Sequence, residues 1–398
     1  MQEITHPWLR TVFPIAAIFS FRLLGLFMLI PVFTLYAIDL KDATPQLMGL
    51  TLGIYGLSQS VLQIPLGVIS DIYGRKPIII VGLTIFLIGS LIGAYSHSIW
   101  GVMLARALQG MGAIGGVLIA LLADVTDEAS RSKAMAVIGA TIGLSFSIAM
   151  IISPIIAQYH GLSGIFYIST ILACTALFLT ICVIPNSAYI TTRQTQTALI
   201  KIPYISGVLN DKSLQLLNYG IFFQHFIFTA TFFVLPLLLK QPLQHSLFHQ
   251  TWHFYLTILG LSFILMLPLL KYTEKHNKTT LVFAAMTVLT SISQALLSLL
   301  PHHLLILFIE TLIYFIAFNY LEAMLPSMIS KQAPTTSKGT AMGIYTTAQF
   351  FGIFLGGITA GVLYQYGGII WVLRMNTIIG LLWCFINIQQ KSSKNALT

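Results

Sequence analysis

A chain of 398 residues that is 57% hydrophobic and only 8% charged, with a mean hydropathy of +0.88, lacks the polar surface of a water-soluble protein, which carries about 25% charged residues. Its natural solvent is lipid. The net charge of +9 does not point to nucleic acid, because the basic residues never gather into a stripe with aromatic readers; the three cysteines, Cys174, Cys182 and Cys384, lie in apolar runs, which argues against a disulfide framework.

The chain opens on Met1–Arg10. The apolar segment that follows is too long for a signal-peptide core and lacks a small-residue cleavage site, so no signal peptide is expected. Apolar runs then recur near residues 12–38, 47–70, 77–96, 99–123, 132–158, 163–185, 213–239, 250–270, 279–300, 303–330, 339–366 and 368–388. Each reaches or approaches the roughly 20 residues that a helix needs to cross a bilayer. Fifteen of the twenty lysines and arginines fall at the termini and in alternate gaps, Lys41 and Lys240 in the other gaps, and Arg22, Arg106 and Arg374 inside spans. Basic residues stay on the inner side, so both termini are expected in the cytoplasm.

The two halves of the chain echo each other. Pro31 and His97 match Pro236 and His302 at an offset of 205 residues, Asp71 matches Glu274 at 203, and Arg131 matches Lys338 at 207. Such constancy implies a duplicated six-helix unit whose copies insert the same way round. The expected fold class is an all-α membrane protein of twelve transmembrane helices in two six-helix bundles. The expected domains are residues 1–185, a cytoplasmic linker at 186–212 that is either a plain tether or partly laid on the membrane surface, a second bundle at 213–390, and a short tail at 391–398.

Between the second and third runs stands Gly67–Pro77, Gly-Val-Ile-Ser-Asp-Ile-Tyr-Gly-Arg-Lys-Pro, read as a short loop between two spans. Gly74 tolerates a turn that a side chain would oppose. Asp71 is an anion suited to the positive end of another helix. Arg75 offers a bidentate fork to a carboxylate. Arg75 and Lys76 could be mere topology markers, but that role needs neither Asp71 nor Gly67 and Gly74. The spacing resembles the loop signature of the major facilitator superfamily, between its second and third helices. In the fourth run, Arg106, Gln109, Gly110 and Gly112 resemble that superfamily's fourth-helix motif. The fifth run resembles the exporter motif only in outline: Gly139, Gly143 and Pro154 are present, but Ser153 stands where a glycine is expected, and the two glycines read equally as a close helix contact. The stretches Phe19–Pro31, Gly53–Pro77, Trp100–Gly112, Lys133–Ile138, Phe318–Lys331 and Lys338–Tyr345 look closest to the YajR-like branch, grouped with proton-driven drug exporters.

That resemblance implies alternating access, proton-coupled antiport with drug efflux, and a bacterial inner membrane. It also implies a monomer in the lipid bilayer whose partners are a small-molecule substrate and protons. The Gly67–Pro77 segment is expected to latch the state whose cytoplasmic side is closed. There Asp71 lies near Gly339, Thr340 and Ala341 at the start of the eleventh helix, and Arg75 pairs with Asp124, as the resemblance implies. The substrate cavity is expected to draw on Arg22, Tyr55, Gln59, Gln109, His225, Asn319, Glu322, Tyr345 and Gln349, a mixture suited to an amphipathic solute.

Charges inside spans cost about 2.5–3.5 kcal/mol each by insertion scales, so each needs a reason. Arg106 and Gln109 share a helix face; in proton-coupled members of the family the arginine is thought to influence a nearby acid. In the tenth run, Glu322 is the expected proton carrier, with Asn319 on its face, Glu310 as runner-up and His225 as a third candidate. The alternative for Glu322 is a permanent ion pair with Lys331 or Lys338, and for Glu310 a role in gating or a salt bridge. His245, His249 and His253 recur every four residues, but no carboxylate or cysteine joins them, so interfacial histidines are expected and no metal or cofactor. No nucleophile–base set or phosphate loop points to an enzyme. An uncoupled facilitator or metabolite importer, and a membrane solute sensor, remain as other readings.

Overall fold

The computed structural model describes residues 8–126, 128–184, 201–244, 250–276, 278–300, 303–334 and 337–395. Among these the regular elements are helices: α1 (Trp8–Phe27), α2 (Phe33–Ala37), α3 (Pro45–Tyr73), α4 (Arg75–Tyr95), α5 (Ile99–Met111), α6 (Gly115–Val125), α7 (Glu128–Cys182), α8 (Lys201–Asn210), α9 (Lys212–Gln244), α10 (Thr251–His276), α11 (Thr279–Leu299), α12 (Leu304–Gln332) and α13 (Lys338–Asn395). An isolated bridge between Lys41 and Ser98 ties two connecting turns together.

Nine helical stretches among the described residues are long and apolar enough to cross a membrane, counting α5 and α6 together, and α1 holds a shorter apolar one. Two of the nine are too long for one crossing. α7 has 55 residues and α13 has 58, each about 80 Å or more at ~1.5 Å per residue, against a hydrocarbon core of about 30 Å. Each breaks at a glycine with positive φ, Gly161 (+58°) and Gly368 (+67°). Neighbours show that the arms on either side run in opposite directions. In α7, Ser145 and Ser153 bond Ser20 and the Met28 carbonyl in rising order along α1, whereas in the second arm Tyr167 packs on Tyr95 and the Ile181 carbonyl meets Lys76, in falling order along α4. In α13, Gly352 and Gly356 rise along α9 over Phe222 and Phe226, whereas Asn376, Gly380 and Cys384 fall along α11 past Gln294, Ser291 and Thr287. With both divided and α1 included, the crossings number twelve, the all-α fold expected.

The boundaries differ from the hydropathy reading in five places. The supposed loop at Gly67–Pro77 shrinks to Gly74, whose φ of +95° and ψ of 153° turn the chain between two otherwise continuous helices. The first run breaks between Phe27 and Phe33 around Pro31, which has no N–H to donate. The fourth run breaks between Met111 and Gly115. Residues 201–210 of the linker are helical, and α13 runs on through Asn395.

The halves meet along two seams. On α3, a Cβ at Gly49, Gly53 or Gly56 would collide with the carbonyl oxygens of Gly357, Phe354 and Phe350 on α13. Small residues let two backbones approach this closely. At the opposite end the same helices part: Gly67 and Gly339 have nothing within 4 Å, and Gly343 meets only Ile64 at 4.0 Å. The two ends are called below the Lys41 face and the Asp71 face. Midway, Phe146 of α7 packs on Phe27 of α1 and on Phe228, Phe315 and Phe318 of α9 and α12. Gly139 and Gly143 do not make the close contact read from their spacing, because Gly139 faces open space and Gly143 reaches only Phe263, at 3.9 Å.

Candidate transport site

The first half carries two buried arginines around one tyrosine. Arg22, from α1, is 3% exposed. Its Nε donates to the Gly112 carbonyl at 3.2 Å, and its Nη2 to Tyr55 Oη at 3.1 Å and Gln59 Oε1 at 2.7 Å. Arg106, from α5, lies with its guanidinium carbon 4.5 Å from the centroid of the Tyr55 ring, in cation–π range. Its Nη1 donates to Gln109 Oε1 at 3.0 Å, and Gln109 Nε2 donates to Ser90 Oγ at 2.9 Å. One turn of helix brings Arg106 over Gln109. The structure thus gathers Arg22, Tyr55, Gln59, Arg106 and Gln109 where α1, α3 and α5 meet.

The second half carries the acids. His225 of α9 is buried, its ring against Phe228 and Phe318. Its Nε2 is 2.8 Å from Gln349 Nε2 of α13 and 3.9 Å from Glu322 Oε2 of α12. The Glu322 side chain is 31% exposed, although Oε2 itself is enclosed and makes no hydrogen bond. Its ion-pair partner among the described residues is therefore His225 when protonated; Lys331 and Lys338, weighed from sequence, are exposed and make no ion pair there. Asn319 does not serve Glu322 in this state: its Nδ2 donates to Ser262 Oγ on α10 at 2.9 Å. Tyr345 is buried one turn before Gln349 on α13. Glu310 is 2% exposed, and neither carboxylate oxygen has a hydrogen-bond partner, so the salt bridge weighed for it is absent among the described residues.

At the Asp71 face, Arg75 joins three elements. Its Nη1 meets Asp71 at 2.5 Å and Ser70 Oγ at 2.6 Å, and its Nε donates to Asp124 Oδ2 at 2.9 Å. Lys76 Nζ donates to the carbonyls of Ile181 and Ile184 at 2.9 and 2.7 Å. A cation at the end of α7 meets carbonyls that have no partner within the helix.

Sequence reading passed over three features of this region. Gln63 lies one turn beyond Gln59 on α3, and its Oε1 is buried without a partner. Thr231, Gln294 and Asn376 form a closed network: Thr231 Oγ1 donates to Gln294 Oε1 at 3.1 Å, and Asn376 Nδ2 to the same oxygen at 3.0 Å. Lys76 caps a helix besides marking topology. Amides inside apolar runs were the available signal, since each must find a partner in lipid. His245 and His249 lie outside the described residues. Among those described, no cluster of metal-ligating side chains occurs. A small cleft between Pro31, Tyr36, Pro154, Gln158 and Trp252 lies on the Lys41 face, away from both polar clusters.

Comparison with known proteins agrees with this architecture. The model of the Major Facilitator Superfamily matches residues 15–349 and, in a second match, 217–396. The chain is 42% identical over 353 residues to the inner membrane transport protein YajR of Escherichia coli (strain K12), covering 88% of this chain and 77% of that one. It is 33% identical over 384 residues to a transporter of Buchnera aphidicola subsp. Baizongia pistaciae, covering 95% and 96%. Among solved structures, the nucleoside transporter NupG superposes with a TM-score of 0.73 at 17% identity, covering 96% of this chain and 98% of that one. The human organic anion transporter MFSD10 does so with a TM-score of 0.69 at 19% identity, covering 96% and 99%. At such identities the last two speak for the fold alone.

Proposed function

Because the chain belongs to the major facilitator superfamily and is a YajR-like membrane transporter, we propose that it moves an amphipathic small molecule by alternating access and couples that movement to a proton gradient, as an exporter with both termini in the cytoplasm. The observation that carries the coupling is the approach of Glu322 and Gln349 to His225 Nε2. A carboxyl and an imidazole at 3.9 Å can share one proton or exchange it as their surroundings change. They come from α9, α12 and α13, so rocking one bundle against the other alters their exposure.

In this reading Arg22, Tyr55, Gln59 and Gln109 line the first-half side of the substrate path, and His225, Asn319, Glu322, Tyr345 and Gln349 the second-half side. Gly67, Asp71, Gly74, Arg75, Lys76 and Asp124 form the latch. Asp71 engages the first amides of the second-half helix that begins at Lys338 when the Asp71 face closes, and the glycine seam then opens at the Lys41 face. Arg106 and Glu310, which by the repeat sits beside the position matching Arg106, serve coupling indirectly. The protein works as a monomer, within each bundle and across the cavity between them.

Proteoliposomes with an imposed pH gradient test this. Uptake of a lipophilic dye or drug into vesicles acid inside, lost in Glu322→Gln while gradient-free exchange persists, supports coupling through Glu322. Transport indifferent to the gradient would return the protein to an uncoupled facilitator.

A further inference from the structure

We infer that the break in the fourth crossing builds a subsite for the anionic head of the solute, a carboxylate or a comparable monoanion. The inference rests on the transporter reading above and names the class of molecule carried. α5 ends at Met111 and α6 begins at Gly115. Between them Ile114 N bonds Gly112 O at 2.8 Å, and the new helix starts with Leu118 N on Ile114 O at 2.9 Å. The amides of Gly115, Gly116 and Val117 therefore open a helix within the crossing, making no backbone hydrogen bond to the turn before them among the described residues, and Ile114 supplies no side-chain cap. A helix start of this kind favours negative charge, and broken helices place such starts at the centre of transporters.

Two buried side chains independently point to a ligand there. Arg22 is 3% exposed, yet no carboxylate pairs with it among the described residues. Its Nε and Nη2 are engaged, whereas Nη1 makes no hydrogen bond among the described residues and lies 3.4 Å from where a Cβ on Gly115 would stand. Gln63 is 7% exposed; its Nε2 lies 2.9 Å from where a Cβ on Gly116 would stand, and its enclosed Oε1 has no hydrogen-bond partner among the described residues. A guanidinium that merely bolted helices together would need the three bonds Arg22 already makes. It would not need a further Nη1 beside Gly115 at the start of a helix. With no side chains there, Gly115 and Gly116 leave the helix start open to Arg22 and Gln63. The Phe19 ring, 3.9 Å from the Gly115 position, and Tyr55 supply apolar walls for the rest of the solute.

Charge is distributed to match. Arg22 and Arg106 lie buried in the first half, and the buried Glu310 and the part-exposed Glu322 in the second. The solute's anion binds opposite the proton-carrying cluster and neutralises a guanidinium that pairs with no carboxylate among the described residues. This separation lets the two halves handle solute charge and proton charge on different side chains.

The test uses the full chain in nanodiscs and two fluorescent probes, dansyl-aminocaproate and its carboxamide, which share an apolar body and differ in the anion. Wild type binds the carboxylate at least roughly tenfold more tightly than the carboxamide, the scale of one charge-assisted contact. Arg22→Gln brings the ratio to about one while carboxamide binding persists, Arg22→Lys keeps part of the preference, and Gly116→Val, which fills the space beside Gln63, removes it. Should Arg22→Gln fail to fold, Gly116→Val and Gln63→Leu decide the matter. Equal affinities in wild type, no saturable carboxylate binding, or a preference that survives both Arg22→Gln and Gly116→Val would overturn the subsite. The two readings fail separately. Gradient-driven transport of a cationic dye without carboxylate preference removes the subsite and leaves coupling, whereas carboxylate preference without any effect of the gradient on transport does the reverse.

Discussion

His225 Nε2 stands 3.9 Å from Glu322 Oε2, and Gln349 Nε2 reaches the same nitrogen at 2.8 Å, so one imidazole is shared by two helices of the second half. Glu322→Gln keeps the shape of the protonated acid and removes its proton. Transport driven by a pH gradient should fall to background in this variant, while substrate exchange in the absence of a gradient continues. Paired uptake and counterflow measurements in proteoliposomes distinguish the two. Gradient-driven uptake that survives in Glu322→Gln would transfer the role to Glu310, whose two carboxylate oxygens are likewise without hydrogen-bond partners.

Arg75 predicts an asymmetry between its two acids. Asp124 has a side chain 41% exposed, whereas those of Asp71 and Arg75 are 13% exposed. A half-exposed pair is worth roughly 0.2–1 kcal/mol, so Asp124→Asn should lower the unfolding temperature only slightly. Arg75→Gln strips a charge partner from the largely enclosed Asp71 and should cost more, about 1–3 kcal/mol after allowance for remaining solvent. Exchanging the charges with Arg75→Asp and Asp124→Arg should fail to restore stability, because the new aspartate faces Asp71. Thermal unfolding of the four proteins in one detergent ranks them, and full rescue by the exchange would contradict the arrangement.

The crossings were legible because a span of lipid-facing residues is long and apolar, and the lysine and arginine bias set an expected orientation. The breaks were not. Gly112, Ala113 and Ile114 are as apolar as their flanks, so hydropathy runs straight over the point where α5 gives way to α6. The Arg75–Asp124 contact could be expected only through family resemblance, since nothing local links those positions. Helical spacing put Asn319 on the face of Glu322, yet Asn319 bonds Ser262, because α10 offers a hydroxyl at 2.9 Å. The meeting of His225 with Glu322 depends on how α9 packs on α12, a long-range fact that no local pattern encodes. The roles of these residues in transport are proposals on top of that geometry.

Gln109 holds Arg106 at 3.0 Å and is itself held by Ser90 at 2.9 Å. Gln109→Leu removes the hydrogen-bond partner of a guanidinium that is 2% exposed, and Arg106 Nε already lacks one. Stability should fall by about 1–3 kcal/mol, the cost of stranding a buried donor. Gln109→Glu should instead retain it, by supplying a carboxylate in the same place. Ser90→Ala should cost less than Gln109→Leu, because Gln109 keeps its bond to the arginine. Unfolding temperatures read this order directly, and equal losses for Ser90→Ala and Gln109→Leu would show that the chain does not run through Gln109.

The glycine seam sets the last expectation. Gly53 on α3 faces the Phe354 carbonyl of α13 so closely that a Cβ would overlap it, while Gly139 on α7 faces open space. Gly53→Val must push the Lys41 ends of α3 and α13 apart. Overpacking of this kind costs about 1–3 kcal/mol, charged only to the state in which the seam is closed. About 1.4 kcal/mol shifts a two-state balance tenfold, so the population should move toward the state open at the Lys41 face. Leu52, 4% exposed and on the side of α3 that carries Gly49 and Gly56, reports that opening. With Cys174, Cys182 and Cys384 replaced by serine, a cysteine at position 52 should react with an impermeant maleimide several-fold faster in Gly53→Val than in the parent, and only from the Lys41 face. Gly139→Val, the control, should leave the rate unchanged. An unaltered rate in Gly53→Val, with the protein folded and active, would mean that the seam is not the gate on that face.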